Sequence, residues 1–237
     1  MKKIITLYED EHIIVLNKHA NTLCIPDRYE PKKFNLKSYL EKLYGDIFVV
    51  HRLDKDTSGV VCFAKTKEAH RDLNLQFQNR KVVKIYHLFC EGHPGLDNGT
   101  IDQPLLQKAD GKGIIHNKGK VSRTKFKLIK AFRFHCLLEF ELLTGRTHQA
   151  RIHSAHINCP LMVDPLYGNR ELFFLSEIKR NYKTGKNKEE RPFLRRTPLH
   201  AWHLAINHPI TSKRLYFEAE YPKDLKALEK QLTKWSS

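Results

Sequence analysis

Two short stretches of the chain concentrate side chains that can do acid–base or anion-binding chemistry. The first, residues 51–59, reads His-Arg-Leu-Asp-Lys-Asp-Thr-Ser-Gly and carries Asp54 in a polar turn ahead of an apolar run. Thr57 and Ser58 can satisfy backbone groups in such a turn, and Gly59 permits a tight one. A loop carboxylate of this kind is either a structural turn residue or a nucleophile or base, and the residue types by themselves favour the structural interpretation.

The second stretch, residues 145–153, reads Gly-Arg-Thr-His-Gln-Ala-Arg-Ile-His. If the chain is helical from about Thr147, Arg151 lies four residues after Thr147 and three after His148, on roughly one face of the helix. An arginine on the inner face of such a helix can meet a carboxylate from elsewhere in the chain.

Histidines and cysteines give no strong metal signal. His148, His153 and His156 follow no zinc-binding spacing. The five cysteines are scattered, odd in number and never spaced as CxxC, so neither a disulfide framework nor a zinc knuckle is indicated. We expect reduced, mostly buried thiols and no bound metal.

The charge balance favours a polyanionic partner. Lys and Arg number 42 against 26 Asp and Glu, which gives a formal charge of +16 and an isoelectric point near 9.6. Nucleic acid is the leading candidate. Many basic proteins nevertheless bind no anion specifically, since net charge governs association and not fold.

Residues 179–196 hold eight basic side chains and two acidic ones, a local charge of +6. A run like this is either a solvated loop or an arm that contacts RNA phosphates. The basic residues are Lys179, Arg180, Lys183, Lys186, Lys188, Arg191, Arg195 and Arg196.

The remaining composition is that of a folded soluble protein. Of the 237 residues, 41% are hydrophobic, which is enough for a packed core. Acidic residues at Glu9, Asp10 and Glu11 argue against a secretory signal. No apolar run approaches the roughly twenty residues that span a bilayer, so we expect a cytoplasmic protein.

Hydrophobic periodicity indicates a mixed, strand-rich chain that alternates short strands with a few amphipathic helices. Predicted strands cover residues 3–8 and 12–17 as a hairpin, 59–64 as a buried strand, and 121–128 and 136–142 as half-buried antiparallel strands. Predicted helices contain Leu36, Leu40 and Leu43, then residues 67–79, and finally residues 222–235.

The sequence resembles the RNA pseudouridine synthases of the RluA type. Residues 51–59 and 145–153 carry the resemblance, with weaker support from Lys84-Ile85-Tyr86 and Leu199-His200-Ala201, and the match spans about residues 7–209. It implies one α+β catalytic domain over residues 1–237, built on a largely antiparallel, bent β-sheet with flanking helices. RNA is then expected in a basic cleft across that sheet.

The resemblance also implies roles for individual residues. Asp54 corresponds to the catalytic nucleophile or base, Tyr86 to the uracil-stacking tyrosine, and Arg151 to the arginine that pairs with the catalytic carboxylate. Arg52 is expected to hold the target nucleotide flipped out of its helix. A phosphate contact for Arg52 and a core position for Tyr86 remain as alternatives.

The RNA-binding residues implied by the remaining motif positions are His51, Thr57, Arg146, His148, Gln149 and Lys18. Lys18 lies in an Asn-Lys element that normally continues with proline and glycine, whereas this chain has His19 and Asn21. That departure puts the geometry of the local loop in doubt. The resemblance implies no cofactor and no metal, and a monomer is the default.

The resulting prediction is an isomerase that converts uridine in structured RNA, transfer or ribosomal, to pseudouridine. The alternative is a catalytically silent RNA-binding or RNA-chaperone protein with the same fold. A metal-dependent nuclease is not favoured, because the sequence lacks the clustered carboxylates that such an enzyme needs. We expect the catalytic domain to stand without the small N-terminal S4 domain that the resemblance implies for many relatives, and substrate choice is then expected to lie in loops such as the basic run 179–196.

Overall fold

The computed structural model describes residues 4–183 and 189–236. The helices of this part of the chain are α1 (Leu36–Tyr44), α2 (Lys67–Gln78), α3 (Gln149–His156) and α4 (Lys223–Trp235), with a 3₁₀ turn at Leu175–Glu177. The strands are β1 (Ile5–Glu9), β2 (Ile13–Lys18), β3 (Phe48–Val49), β4 (Ser58–Ala64), β5 (Val83–Glu91), β6 (Asn98–Asp102), β7 (Leu105–Gln107), β8 (Gly113–Ile115), β9 (Arg123–Ala131), β10 (His135–Leu142), β11 (Leu199–Asn207) and β12 (Arg214–Glu218).

Contacts divide the chain into two compact units. Unit 1 takes residues up to 86 together with 200–220, and unit 2 takes residues 87–199 together with those from 221 onward. Strands β5 and β11 each begin in one unit and end in the other. The single catalytic domain expected from the resemblance therefore consists of two separately packed parts, and their action as one domain stays a prediction.

Unit 1 is organised around β4, whose seven residues are all buried. The strand pairs antiparallel with β2 and with β3, and its first residues pair parallel with β11. Strand β1 extends the antiparallel pairing from β2, and β12 does the same from β11. An uninterrupted apolar run suits such a central strand because both of its faces are covered.

The two helices of unit 1 begin at polar caps. Asn35 accepts a hydrogen bond from the backbone N–H of Ser38 at the start of α1, and Thr66 accepts one from Ala69 at the start of α2. These side chains satisfy N–H groups that have no partner within the helix. Leu73 of α2 packs into the unit 1 core with Val60 of β4.

Unit 2 contains a second antiparallel group, in which β9 pairs with both β10 and β6. Strands β7 and β8 form a separate two-stranded sheet. Along β9 the apolar Phe126 is buried while Lys125 and Lys127 are exposed, and Lys125 and Lys127 lie opposite Glu141 and Glu139 of β10. The basic face of β9 is therefore charge-matched across the strands.

Helix α4 supplies much of the core of unit 2. Its buried residues Leu225, Leu228 and Leu232 pack with Phe89 of β5 and with Phe173. The three leucines recur every three or four residues and so form one apolar stripe. None of the described helices is both long and apolar enough to cross a membrane.

The mixed α+β class and the largely antiparallel strand pairing are confirmed, as are the predicted hairpin and helices as elements. The start of α3 differs from the expectation. The helix begins at Gln149, after His148, whose backbone is left-handed with φ 57°. Thr147 thus lies outside the helix and does not share a helical face with Arg151. The expected bend and RNA cleft stay predictions.

Candidate active site

The loop between β3 and β4 presents Asp54. The backbone N–H of Thr57 donates to the carbonyl oxygen of Asp54 at 3.1 Å, which closes a turn around the intervening residues. Leu53 is buried while Arg52 is exposed. Asp54 is half-buried, so its carboxylate lies at the margin between core and solvent.

Residues 18–24 fasten this loop on one side. Lys18 is only 2% exposed, and its Nζ donates to the carbonyl oxygens of Lys55 at 2.9 Å, Thr22 at 2.7 Å and His19 at 3.2 Å. Thr22 N–H also donates to the Lys55 carbonyl oxygen, at 3.2 Å. These bonds fix the backbone next to Asp54.

Lys18 was expected to contact RNA, but its burial and its three carbonyl partners give it a supporting position in this structure. A direct RNA contact through Lys18 stays a prediction. On the same side, Cys24 Sγ lies 3.4 Å from the backbone nitrogen of Leu53, a hydrogen-bonding contact that adds a further attachment for the loop.

Tyr86, which the resemblance assigns to uracil stacking, lies on β5. It is 9% exposed, and burial together with the negative charge of Asp54 raises the pKa of its phenol. Tyr86 and Asp54 both belong to unit 1. A neutral tyrosine ring can stack on a nucleic-acid base.

His51 supports the loop from the side of the core. Its Nε2 accepts a hydrogen bond from the backbone N–H of Cys62 at 3.0 Å, and its ring stacks on Phe77 at 4.9 Å. Burial, with the charge of Lys84, lowers the pKa of His51 to about 3. The ring is therefore neutral near neutral pH, and the expected RNA contact through it stays a prediction.

The residues after Thr57 anchor the other end of the loop. Ser58 Oγ lies 2.8 Å from His200 Nδ1, and His200 Nε2 lies 2.8 Å from the carbonyl oxygen of Ala219. Because a carbonyl can only accept, Nε2 carries the proton, and in the neutral ring Nδ1 accepts from Ser58. Thr57 itself is 2% exposed, and the expected RNA contact through it stays a prediction.

Gly59 is required by the parallel pairing of β4 with β11. Its φ is +114°, and a Cβ at this position would lie 2.1 Å from the carbonyl oxygen of Ala201. No other residue type fits such an approach. The final residue of the 51–59 motif is therefore explained by strand packing.

Unit 2 carries the second motif. Gln149 is 2% exposed and fully used by the fold, because Oε1 accepts from Thr144 Oγ1 at 2.8 Å while Nε2 donates to Thr124 Oγ1 at 2.9 Å. Arg146 is exposed, and its Nε donates to the Val121 carbonyl oxygen at 3.3 Å. The expected RNA contacts of both residues stay predictions, with Arg146 the better placed for one.

Arg151 forms a buried ion pair that the sequence analysis missed. Its Nε donates to Asp164 Oδ2 at 2.8 Å and its Nη2 to Asp164 Oδ1 at 2.6 Å. The ring of Tyr167 lies 5.0 Å from the guanidinium carbon. Asp164 and Tyr167 belong to the sequence Asp-Pro-Leu-Tyr-Gly, whose only local signal is that of an ordinary turn.

The histidines near α3 serve hydrogen bonds in this structure. His153 Nδ1 lies 2.8 Å from Thr124 Oγ1 and its Nε2 lies 3.1 Å from the Gln103 carbonyl oxygen. His148 Nδ1 lies 2.9 Å from the Tyr167 hydroxyl. Within residues 4–183 and 189–236, no three His, Cys, Asp or Glu side chains are grouped so as to hold a metal ion.

The basic run 179–196 is only partly available to a ligand. Arg196 is buried, and its Nε donates to Asp224 Oδ2 at 2.7 Å. Lys179 lies over the ring of Trp235 at 5.1 Å. Arg196 thus holds α4 in place, while Lys186 and Lys188 lie outside the described residues.

Comparison with known proteins assigns the class. The sequence profile of the family described as RNA pseudouridylate synthase matches residues 12–156, which contain Asp54, Tyr86 and Arg151. The chain belongs to this family of RNA-modifying isomerases.

Its relatives include proteins named ribosomal large subunit pseudouridine synthase D. The protein of Zymomonas mobilis is 34% identical over 239 residues, which cover 95% of this chain and 72% of that protein. The one from Pseudomonas aeruginosa is 36% identical over 228 residues, covering 92% and 68%. The human protein RNA pseudouridylate synthase domain containing 1 has a similar fold, with a TM-score of 0.72 at 23% identity over 99% of this chain and 89% of that one.

Proposed function

We propose that this protein converts a uridine of large-subunit ribosomal RNA to pseudouridine, with Asp54 as the catalytic carboxylate. The family and the resemblance support the reaction. The relatives are named ribosomal large subunit pseudouridine synthases, which supports ribosomal RNA as the substrate. The observation that carries the catalytic assignment is the position of Asp54, which is half-buried in a loop whose backbone is fixed by the buried Lys18 and by its own turn.

In the proposed reaction, the bond between uracil N1 and ribose carbon 1′ breaks and a bond between uracil carbon 5 and the same ribose carbon forms. N1 gains a proton and carbon 5 loses one to solvent, so the reaction is redox-neutral. Asp54 acts as nucleophile or base, and Tyr86 holds the detached uracil by stacking, an interaction worth about 1–3 kcal/mol per base.

The two arginines have different proposed tasks. Arg52 is exposed two residues before Asp54 in the chain, a position suited to supporting a nucleotide flipped out of its helix. The resemblance assigns Arg151 as the arginine that pairs with the catalytic carboxylate. Burial raises a carboxyl pKa, and a guanidinium partner offsets that effect.

Release of tritium from RNA labelled at uridine carbon 5 measures the reaction directly, because each turnover displaces the hydrogen at that carbon. We expect Asp54→Asn to abolish tritium release while RNA binding persists. Asp56→Asn, which removes a carboxylate two residues away in the same loop, is the matched control and should retain turnover. Turnover by Asp54→Asn would contradict the catalytic assignment.

A catalytically silent RNA-binding protein is the competing proposal. It predicts RNA binding without tritium release by the unmodified protein. Supplying ribosomal and transfer RNA separately, both labelled at uridine carbon 5, identifies the substrate class. Release from transfer RNA alone would overturn the ribosomal assignment and leave the reaction intact.

A further inference from the structure

Arg151 and Asp164 form a buried, side-on ion pair inside unit 2. Arg151 is 8% exposed and Asp164 is 1% exposed. The two hydrogen bonds, of 2.8 and 2.6 Å, run from Nε and Nη2 to the two carboxylate oxygens. Such a fork-to-fork arrangement fixes the plane of the guanidinium as well as its position.

Asp164 is itself held in one orientation. Its Oδ1 accepts from the backbone N–H groups of Leu166 at 3.0 Å and Tyr167 at 3.1 Å. Gly168 N–H donates to its carbonyl oxygen at 2.9 Å. The carboxylate therefore cannot rotate without breaking the hydrogen bonds that it accepts from the N–H groups of Leu166 and Tyr167. The backbone turn fixes the orientation of the carboxylate, and the carboxylate fixes that of the Arg151 guanidinium.

Tyr167 covers the pair and connects it to the start of α3. Its ring lies 5.0 Å from the Arg151 guanidinium carbon, within the range of a cation–π contact. Its hydroxyl accepts from Gly113 N–H at 2.9 Å and is hydrogen-bonded to His148 Nδ1 at 2.9 Å. The same turn thus fixes two side chains of the 145–153 motif.

We propose that Asp164 is a positioning residue for Arg151, which aims the guanidinium for the reaction assigned above. The hydrogen bonds from Nε and Nη2 to the two carboxylate oxygens set the direction in which the guanidinium points. A buried ion pair is weak support for stability, so fixing an orientation is the effect expected of this one. The inference rests on the proposed function.

The test compares Asp164→Asn, Arg151→Met and the double variant by tritium release at saturating RNA and by KM. Asparagine keeps an oxygen for the two backbone N–H groups but cannot pair with the guanidinium charge. We expect Asp164→Asn to slow tritium release at saturating RNA about 100-fold, which is the effect expected when a reacting group is misplaced. The KM should change less than about threefold. In the Arg151→Met background the same change should slow the reaction no further.

Asp224→Asn is the matched control, because Asp224 pairs side-on with Arg196 in the same unit at 2.7 and 3.1 Å. It should keep the wild-type rate at temperatures where the protein is folded. If the two substitutions reduce the rate of tritium release independently, so that their factors multiply in the double variant, the inference is overturned. A loss in Asp164→Asn no larger than in Asp224→Asn would also overturn it.

If Asp164→Asn does not fold, Asp164→Glu serves in its place, since it keeps the charge and displaces it by one methylene. A slower rate with unchanged unfolding temperature supports positioning, and a wild-type rate overturns it. Absence of tritium release from the unmodified protein with every RNA would instead remove the proposed function. The two failures are therefore distinguishable.

Discussion

The ammonium group of Lys18 donates a 2.9 Å hydrogen bond to the carbonyl oxygen of Lys55, the residue that follows Asp54. The same nitrogen donates to the carbonyl oxygens of Thr22 and His19, so a single buried ammonium group joins strand β2 to the loop that carries Asp54. Charged groups are buried only when they are satisfied in this way.

Replacing Lys18 with methionine should therefore loosen the loop that carries Asp54. The carbonyl oxygens would lose their donor, at a cost of about 1–3 kcal/mol in the free energy of unfolding. We expect the rate of tritium release to fall about tenfold or more at temperatures where the variant is folded. Lys55→Met, at an exposed position of the same loop, is the control, and equal behaviour of the two variants would contradict the supporting role.

His51 should make stability depend on pH. Its pKa is lowered from 6.5 to about 3 in the folded protein, so the unfolded chain binds this proton first as pH falls. Its contribution is complete above pH 6.5 and is lost progressively towards pH 3, by at most about 1.4 kcal/mol per pH unit. Urea unfolding between pH 4 and 7 should show a shallower loss for His51→Gln than for the wild type. The same slope in both would exclude His51 as a source.

Gly59→Ala should be strongly destabilising. The new methyl group would lie 2.1 Å from the Ala201 carbonyl oxygen, which forces β4 and β11 apart at about 3 kcal/mol or more. The control is Gly45→Ala, where φ is also positive at +80° but no atom lies within 4 Å, and which should cost only about 1 kcal/mol. Urea midpoints measure both, and similar values would show that the close approach carries no penalty.

The exposed part of the basic run is expected to bind RNA phosphate. Arg180, Lys183, Arg191 and Arg195 are exposed. Changing these four to serine should weaken RNA binding and lower the slope of log affinity against log salt by up to about 0.9 per lost contact. Arg196→Ser should instead lower stability, because Arg196 pairs with Asp224. An unchanged salt slope in the fourfold variant would remove this segment from RNA binding.

The sequence predicted which residues belong to the candidate site better than it predicted the contacts that hold those residues in place. The resemblance assigned both Asp54 and Tyr86 to the site, and their joint role stays a prediction. Periodicity also predicted β4 and α4, because each has a simple burial pattern. Lys18 was expected at the RNA because a lysine is normally exposed, and only the fold reveals that backbone carbonyls surround it.

Long-range partners were the other gap. The pairing of Arg151 with Asp164 and of Arg196 with Asp224 depends on where turns and helices meet, which no local pattern encodes. The start of α3 was predicted too early, because His148 adopts a left-handed backbone conformation that is unusual for any residue other than glycine. Strands β6, β7 and β8 are short and carry weak alternation, so periodicity did not indicate them.

The discontinuity of the two units has a consequence for biosynthesis. The hydrogen bond from Ser58 to His200 joins residues 142 apart, and unit 1 lacks strands β11 and β12 until residues 200–220 have been made. During synthesis, β4 therefore leaves the ribosome before its parallel partner β11. The two strands can pair only after all of the intervening residues have been made. No single truncation separates the units, so shortened forms made for study must remove internal segments.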